Sequence, residues 1–127
     1  MIEVQALQHV SITVTDLNRA REFYGGILRL AEIERPAFDF EGAWYKVGSQ
    51  QLHLIVHPAS RTRRGTTDID SRDSHYALRI RSHRQAVEYL QEHGVPCRER
   101  LRNRTPWPQI FLTDPDGNVI ELNAEAP

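Results

Sequence analysis

The sequence predicts an α+β fold made of two similar halves, in each of which one strand and one helix are followed by three strands. The first observation is an internal repeat: an offset of 66 residues maps the strand around His9 onto the strand around His75, and Phe23 onto Tyr89 in the next helix. The second observation is that the offset becomes 68 in the later hairpin, where His53 corresponds to Glu121. A two-residue change in a connecting loop explains this shift, because loops tolerate insertions.

The elements of the first half follow from the spacing of apolar residues. Apolar and polar residues alternate over 7–14, which is typical of a half-buried strand with His9 on its more polar face. Asp16 is a good N-cap for the helix that follows, and Gly25 and Gly26 should loosen or end that helix. Three strands are then predicted, at residues 30–34, 42–48 and 51–57.

The second half repeats this order. Alternation predicts a strand at 75–81, after which Ser82 caps a helix that Gly94 ends. Before the last strand, Pro115 and Gly117 occupy positions that a tight turn needs. The three remaining strands are predicted at residues 95–101, 107–113 and 119–123.

A loop separates the two halves. Residues 58–73 are rich in Arg, Thr, Ser and Asp and nearly devoid of large apolar side chains, which predicts a long flexible connection. We interpret residues 1–127 as one domain, with module one at about 4–57 and module two at about 74–123. We interpret the loop arginines, Arg61, Arg63 and Arg64, as a solvated cluster and not as a binding site for an anionic substrate.

Composition limits the expected partners and location. A net charge of −1 provides no basic field for nucleic acid or an anionic membrane surface. The apolar runs are far too short to span a bilayer, and the N-terminus does not have the pattern of a signal peptide. Cys97 is the single cysteine and cannot form an internal disulfide, which fits a reducing cytoplasm.

Four polar residues in predicted strands carry the functional argument. They fall at two pairs of repeat-equivalent positions: His9 with His75, and His53 with Glu121. Imidazoles and a carboxylate are a ligand set for a mononuclear divalent metal, and open coordination positions would make such a site catalytic. Structural explanations also stay open, because strand histidines are often only hydrogen-bonded and Glu121 could pair with Arg79 or Arg81.

Aromatic residues and one further histidine are candidates for a substrate pocket. His57 shares the strand face of His53 but lies at a strand end before Pro58. Trp44 and Trp107 suit either a pocket wall or the core. The predicted pocket residues are Phe38, Phe40, Trp44, His57 and Trp107. By contrast, the position of His93 at the C-terminal end of a helix explains this residue without a functional role, because a cation is favourable there.

Several motifs resemble those of vicinal oxygen chelate proteins, the superfamily of glyoxalase I, fosfomycin and bleomycin resistance proteins, and extradiol dioxygenases. The stretch 35–44 is similar to a short glyoxalase-I-like branch of that superfamily. The other matching motifs are His9-Val10-Ser11-Ile12 with Asp16-Leu17 and Phe23-Tyr24, then Ser74-His75-Tyr76-Ala77-Leu78, and finally Asp114-Pro115-Asp116-Gly117-Asn118 with Ile120-Glu121-Leu122.

The resemblance implies two βαβββ modules that form a cupped mixed sheet around a divalent metal ion, which could be Ni, Co, Zn, Fe or Mn. It implies His9, His53, His75 and Glu121 as the ligands. It also implies a homodimer, in which modules from two chains sometimes complete each site. In glyoxalase I the position of His53 is typically a glutamate that also acts as a base, so the histidine here departs from that enzyme.

Three functions are open at this point. The first is a metal-dependent lyase or isomerase that chelates a small oxygenated substrate, such as a hemithioacetal, and stabilises an enediolate. Its predicted catalytic residues are His53 and Glu121, with His57 as another candidate base. The second is an Fe(II) dioxygenase that uses His9, His75 and Glu121. The third is a binding protein that sequesters a drug-like molecule without a metal.

Overall fold

The computed structural model describes residues 1–101 and 104–125. It confirms the predicted α+β fold, because each half contains a βαβββ succession that ends in a four-stranded mixed sheet. The chain divides into two compact units, Met1–Thr62 and Arg63–Pro127. The boundary between these units falls inside the predicted loop.

The first unit contains four strands, β1 to β4, in the order β1-β4-β3-β2, with β1 and β4 parallel and the other neighbours antiparallel. The side chain of Asp16 accepts a hydrogen bond from the Arg19 backbone N–H and caps α1 as predicted. The elements are β1 (His9–Val14), α1 (Leu17–Arg21), a π-helical segment (Glu22–Ile27), β2 (Ala31–Ile33), β3 (Gly42–Val47) and β4 (Gln50–Val56).

The π-helical segment is where the predicted helix loosens. It contains Gly25 and Gly26, and the Leu28 N–H donates to the carbonyl of Phe23, five residues earlier. Glycine lacks the side chain that favours a regular α-helical turn, so the widening falls at the expected place. Phe23 and Tyr24 remain buried across the segment and contribute to the core of this unit.

The second unit has the same topology, with the order β5-β8-β7-β6 and a parallel β5/β8 pair. Ser82 caps α2 through a bond from the Gln85 N–H, as predicted. The elements are β5 (His75–Arg79), α2 (His83–Glu92), β6 (Arg98–Arg100), β7 (Gln109–Thr113) and β8 (Val119–Asn123). In the part of the chain that the structure describes, no helix has the length and apolar character needed to cross a membrane.

Strand β6 is shorter than the predicted strand at 95–101. The Val95 N–H donates to the carbonyl of Leu90, so Val95 closes the end of α2 and cannot begin a strand. Pro96 has no N–H to donate to a neighbouring strand. Only Arg98, Glu99 and Arg100 therefore pair with β7.

Strand register supports the internal repeat. His53 lies opposite Ser11 on the parallel neighbour β1, and Glu121 lies opposite Ala77 on the parallel neighbour β5. Ser11 and Ala77 are related by the same offset of 66 residues that relates His9 to His75. His53 and Glu121 therefore occupy equivalent positions in their respective sheets.

The turn before β8 is held by a buried carboxylate and by the preceding loop. Asp114 is 2% exposed, and its Oδ1 accepts from the backbone N–H groups of Asp116 and Asn118, each at 2.9 Å. Arg64 donates to the carbonyl of Gly117 at 2.7 Å and pairs with Asp73 at 2.7 Å. Of the three loop arginines, Arg64 therefore has a structural role in this turn.

Candidate metal centre

The second unit brings His75 and Glu121 together. His75 Nε2 lies 3.4 Å from Glu121 Oε1. The Nδ1–H of the same ring donates to the backbone carbonyl of Asp73 at 2.8 Å. In a neutral imidazole this bond keeps the proton on Nδ1, so the lone pair of Nε2 is directed to the side where Glu121 lies.

Two neutral amides orient the Glu121 carboxylate, which is only 7% exposed. Gln109 Nε2 donates to Oε1 at 3.2 Å, and Asn123 Nδ2 donates to Oε2 at 2.7 Å. Amide donors satisfy a carboxylate but do not neutralise its charge. Arg79, a possible partner in the sequence, lies over the ring of Trp107 at 5.4 Å instead.

The first unit brings His9 and His53 together. Their rings are stacked with centroids 4.2 Å apart and planes inclined by 17°. The ring of Trp44 is also stacked on His53, at 3.9 Å and 2°. His53 Nε2–H donates to Gln51 Oε1 at 2.8 Å, and His9 Nδ1–H donates to Gln8 Oε1. Burial lowers the pKa of His53, and electrostatic repulsion by His9 and Arg35 lowers it further, which favours the neutral imidazole.

Both pairs have donor atoms that suit a divalent metal, and the His75–Glu121 pair also has a suitable geometry. A metal-binding imidazole commonly donates its other N–H to a carbonyl, as His75 does. Ligand atoms bound to one cation at 2.0–2.1 Å are separated by about 3.0–3.4 Å, which agrees with His75 Nε2 and Glu121 Oε1. Across the described ranges 1–101 and 104–125, no three His, Cys, Asp or Glu side chains converge as a metal-binding group, so candidate ligands meet only in pairs.

Comparison with known proteins assigns the chain to a family. The profile of the Glyoxalase/Bleomycin resistance protein/Dioxygenase superfamily matches residues 6–122. The chain belongs to this superfamily. The match covers both units and includes the four candidate ligands.

Three relatives of this superfamily member illustrate the likeness. Metallothiol transferase FosB from Staphylococcus saprophyticus is 23% identical over 124 residues, which cover 94% of this chain and 77% of FosB. A glyoxalase family protein from Bacillus anthracis has a TM-score of 0.81 at 22% identity, with 98% of each chain covered. A variant of the fosfomycin resistance protein FosX from Listeria monocytogenes, complexed with Mn(II) and dihydroxypropylphosphonic acid, has a TM-score of 0.76 at 21% identity, covering 96% and 93%.

Three of the five predicted pocket residues gather beside His53 in this superfamily member. Phe38 and Phe40 are stacked at 5.2 Å, and Phe38 lies 6.2 Å from Trp44. The Arg35 guanidinium lies over both phenyl rings, at 4.8 and 5.0 Å. Of the other two, His57 follows the end of β4, and Trp107 contacts Arg79 in the second unit.

The remaining histidines and the cysteine of this superfamily member have structural environments. His93 Nδ1–H donates to the Tyr89 carbonyl at the end of α2. His83 is buried and donates to Glu99 at 2.9 Å, which links α2 to β6. Burial raises the pKa of the Cys97 thiol, as does the nearby charge of Glu99, so this cysteine is a poor nucleophile.

Sequence reasoning missed the amides that support the candidate ligands. Asn123 shares the strand face of Glu121 two residues along, so alternation could have identified it. Gln109 comes from another strand, and Gln51 shares the strand of His53. Cross-strand register, which local patterns do not reveal, is needed to place Gln109 beside Glu121.

Proposed function

We propose that this chain is a divalent-metal-dependent enzyme of the glyoxalase-like lyase or isomerase type, acting on a small oxygenated substrate. The observation that carries the proposal is the His75–Glu121 pair, with a 3.4 Å separation and a carboxylate held by two amides. His9 and His53 supply the other half of the ligand set. The proposed ligands are His9, His53, His75 and Glu121.

The residues have distinct proposed roles. When bound, the metal would act as a Lewis acid on the substrate oxygens and stabilise the negative charge that develops on them. Glu121 contributes negative charge at a fixed position, because Gln109 and Asn123 hold both of its oxygens. The Nδ1 atom of His53 can accept a proton, since Nε2–H is directed to Gln51. His53 is therefore the proposed base, if it does not coordinate the metal.

The relatives support a metal and a small substrate. The FosX variant was crystallised with Mn(II) and dihydroxypropylphosphonic acid, a small molecule with two hydroxyl groups. The name of FosB describes a metallothiol transferase. The histidine at position 53 makes strict glyoxalase I chemistry a poor match.

An Fe(II) dioxygenase is the second candidate, and the Gln51–His53 hydrogen bond favours it. If that bond keeps His53 out of the metal shell, His9, His75 and Glu121 remain as two histidines and one carboxylate. This set is typical of non-haem Fe(II) oxygenases. Oxygen uptake with a catechol by the Fe(II)-loaded protein would favour this candidate over a lyase or isomerase.

Elemental analysis of the purified protein tests the metal site. We expect bound divalent metal in the wild type and its loss in His75→Ala and Glu121→Ala, because each variant removes a ligand. His93→Ala is the matched control, since that histidine donates to the Tyr89 carbonyl at the end of α2 and is not a proposed ligand. Unchanged metal in both site variants would refute the ligand set. A wild type that stays metal-free during titration would support a binding protein instead.

The same approach tests where the ligand pairs combine. The set requires one pair from each half of the sequence, contributed either by one chain or by two chains of a homodimer. The His9→Ala and Glu121→Ala variants are mixed, unfolded and refolded together. If each site is contributed by two chains, every mixed dimer contains one intact site. Random mixing should then recover about a quarter of wild-type metal, whereas sites within one chain recover none.

A further inference from the structure

The guanidinium group of Arg64 joins two segments that are distant in the sequence of the second unit. Its Nε–H donates to Asp73 Oδ2 at 2.7 Å, and its Nη1–H donates to the backbone carbonyl of Gly117 at 2.7 Å. The Arg64 side chain is 15% exposed and the bond to Gly117 is partly buried, so water competes for that bond less than at an open surface. Because a guanidinium group is planar and rigid, bonds from two of its nitrogens fix Asp73 relative to Gly117.

Each of the two joined segments leads to a candidate metal ligand. The backbone carbonyl of Asp73 accepts from His75 Nδ1–H at 2.8 Å. Gly117 lies in the turn after which β8 begins, and β8 carries Glu121. Arg64 therefore contacts both the residue that orients His75 and the turn that precedes the strand of Glu121.

Two acceptors compete for the proton of the neutral His75 ring. The Asp73 carbonyl lies beside Nδ1 at 2.8 Å, and Glu121 Oε1 lies 3.4 Å from Nε2. A neutral imidazole carries one N–H, and an ionised carboxylate is a stronger acceptor than a carbonyl. The lone pair of Nε2 is therefore available to a metal only while the Asp73 carbonyl stays in place to hold the proton on Nδ1.

The position of Asp73 depends on its bond to Arg64. The backbone N–H of Asp73 donates to the Asp70 carbonyl at 3.2 Å, which folds the loop on itself and does not attach it to the β7–β8 hairpin. A second bond between loop and hairpin runs from Thr113 Oγ1 to the Thr67 carbonyl at 3.2 Å. Thr113 thus holds an earlier part of the loop, whereas Arg64 links Asp73 itself to the hairpin.

We propose that Arg64 is a positioning residue for the candidate metal centre. By fixing Asp73 to the turn at Gly117, its guanidinium group keeps the Asp73 carbonyl on His75 Nδ1–H and leaves Nε2 free to bind a metal. The effect on metal binding rests on the proposed function. The control of the His75 proton does not, because it operates in the metal-free protein.

Nitrogen NMR of metal-free, full-length protein that contains isotope-labelled histidine locates the His75 proton. Spectra are recorded at about pH 8.5, where imidazole groups are largely neutral, and the His75→Ala spectrum assigns the signals. We expect the proton on Nδ1 in the wild type and mainly on Nε2, facing Glu121, in Arg64→Ala. His93 is an internal reference, because its Nδ1–H donates to the Tyr89 carbonyl and should not change.

Three further variants control for charge and for loop attachment. Arg61→Ala removes the same charge from an exposed position in the same loop and should leave the proton on His75 Nδ1. Thr113→Val removes the other bond between loop and hairpin and should also leave it there. Arg64→Lys keeps the charge but has a single nitrogen, so we expect only partial recovery of the wild-type spectrum.

Metal affinity, measured by competition with a chelating dye, is the second readout. Arg64→Ala should bind metal about three- to tenfold more weakly, since Arg64 is one contact farther from the metal than the groups that touch a ligand. Asp73→Ala keeps the backbone carbonyl but removes the carboxylate that Arg64 holds, so it should have the same effect on affinity and on the His75 proton. The double variant should be no weaker than either single variant, because both changes break one link.

A His75 proton that stays on Nδ1 in Arg64→Ala would overturn the positioning role. An equal shift in Arg61→Ala or Thr113→Val would also overturn it, because the proton would then follow net charge or loop attachment in general. If Arg64→Ala does not fold, Asp73→Ala decides the question, since it leaves the bond from Arg64 to Gly117 intact. A shifted proton in a protein that takes up no metal would refute the proposed function and keep the role of Arg64.

Discussion

The two hairpins that carry His53 and Glu121 are related by the repeat but are held in different ways. In the β3–β4 hairpin, a side chain at Gly48 would meet nothing within 4 Å. In the β7–β8 hairpin, a Cβ at Gly117 would lie 1.8 Å from the Thr66 carbonyl oxygen. Asp114 and Arg64 add hydrogen bonds only to the second turn. The same topology therefore supports an open turn in one unit and an anchored turn in the other.

The environments of the two candidate ligands also differ in their polar support, as the two turns do. His53 is packed between aromatic rings, with one amide acceptor beside it. Glu121 is buried among amide donors that hold both carboxylate oxygens. A neutral imidazole tolerates an aromatic stack, whereas a buried carboxylate needs donors. The hairpin with the charged ligand is thus the one with more extensive polar support.

The largest effect should come from Gly117→Ala. Gly117 has a φ of 86°, and the added Cβ would clash with the backbone of Thr66, which cannot move without shifting the loop. We expect a loss of more than about 3 kcal/mol in the free energy of unfolding, measured by urea denaturation. Gly48→Ala is the matched control, with a φ of 59° in open space and an expected cost of about 1–2 kcal/mol. Equal losses would show that the second turn is not anchored.

A smaller effect is expected at high pH, where a buried tyrosine in the core of the first unit should reduce stability. Tyr45 lies opposite Leu52 in the first unit, and Leu112 has the corresponding register position in the second unit, opposite Ile120. Burial raises the pKa of Tyr45 to about 12 from 10.0, and the charge of Glu32 adds to this shift. The folded state therefore disfavours the phenolate, so stability is retained below pH 10 and lost as the pH rises through about 12.

Denaturation series between pH 9 and 12 measure this loss. The wild type should lose roughly 2–3 kcal/mol through Tyr45, and Tyr45→Phe should lack this part of the alkaline decline. Leu112→Val is a control in the second unit, because it changes packing without changing any titrating group. An identical alkaline slope in the wild type and Tyr45→Phe would contradict the prediction.

The sequence predicts the shared parts of the two units better than the differing parts. Apolar alternation and the caps at Asp16 and Ser82 depend on near neighbours, so the element order and the α+β fold are confirmed. The repeat in the sequence also pairs His53 with Glu121, and the strand register agrees with this pairing. Contacts between distant residues were not predictable: the clash that makes Gly117 necessary comes from Thr66, and the Gln109 bond depends on β7 pairing with β8.

The smallest effects should come from changing the amides that hold the two candidate ligands, Asn123 beside Glu121 and Gln51 beside His53. Asn123→Ala removes the donor to Glu121 Oε2, and metal affinity should fall about 10- to 100-fold, because groups behind a ligand set its orientation. Gln51→Ala is the equivalent change beside His53, where the Trp44 stack still holds the ring, so we expect a fall of about threefold or less. Competition with a chelating dye measures both affinities. A larger loss in Gln51→Ala would mean that His53 depends on its amide more than on its aromatic packing, and the contrast between the two ligand environments would fail.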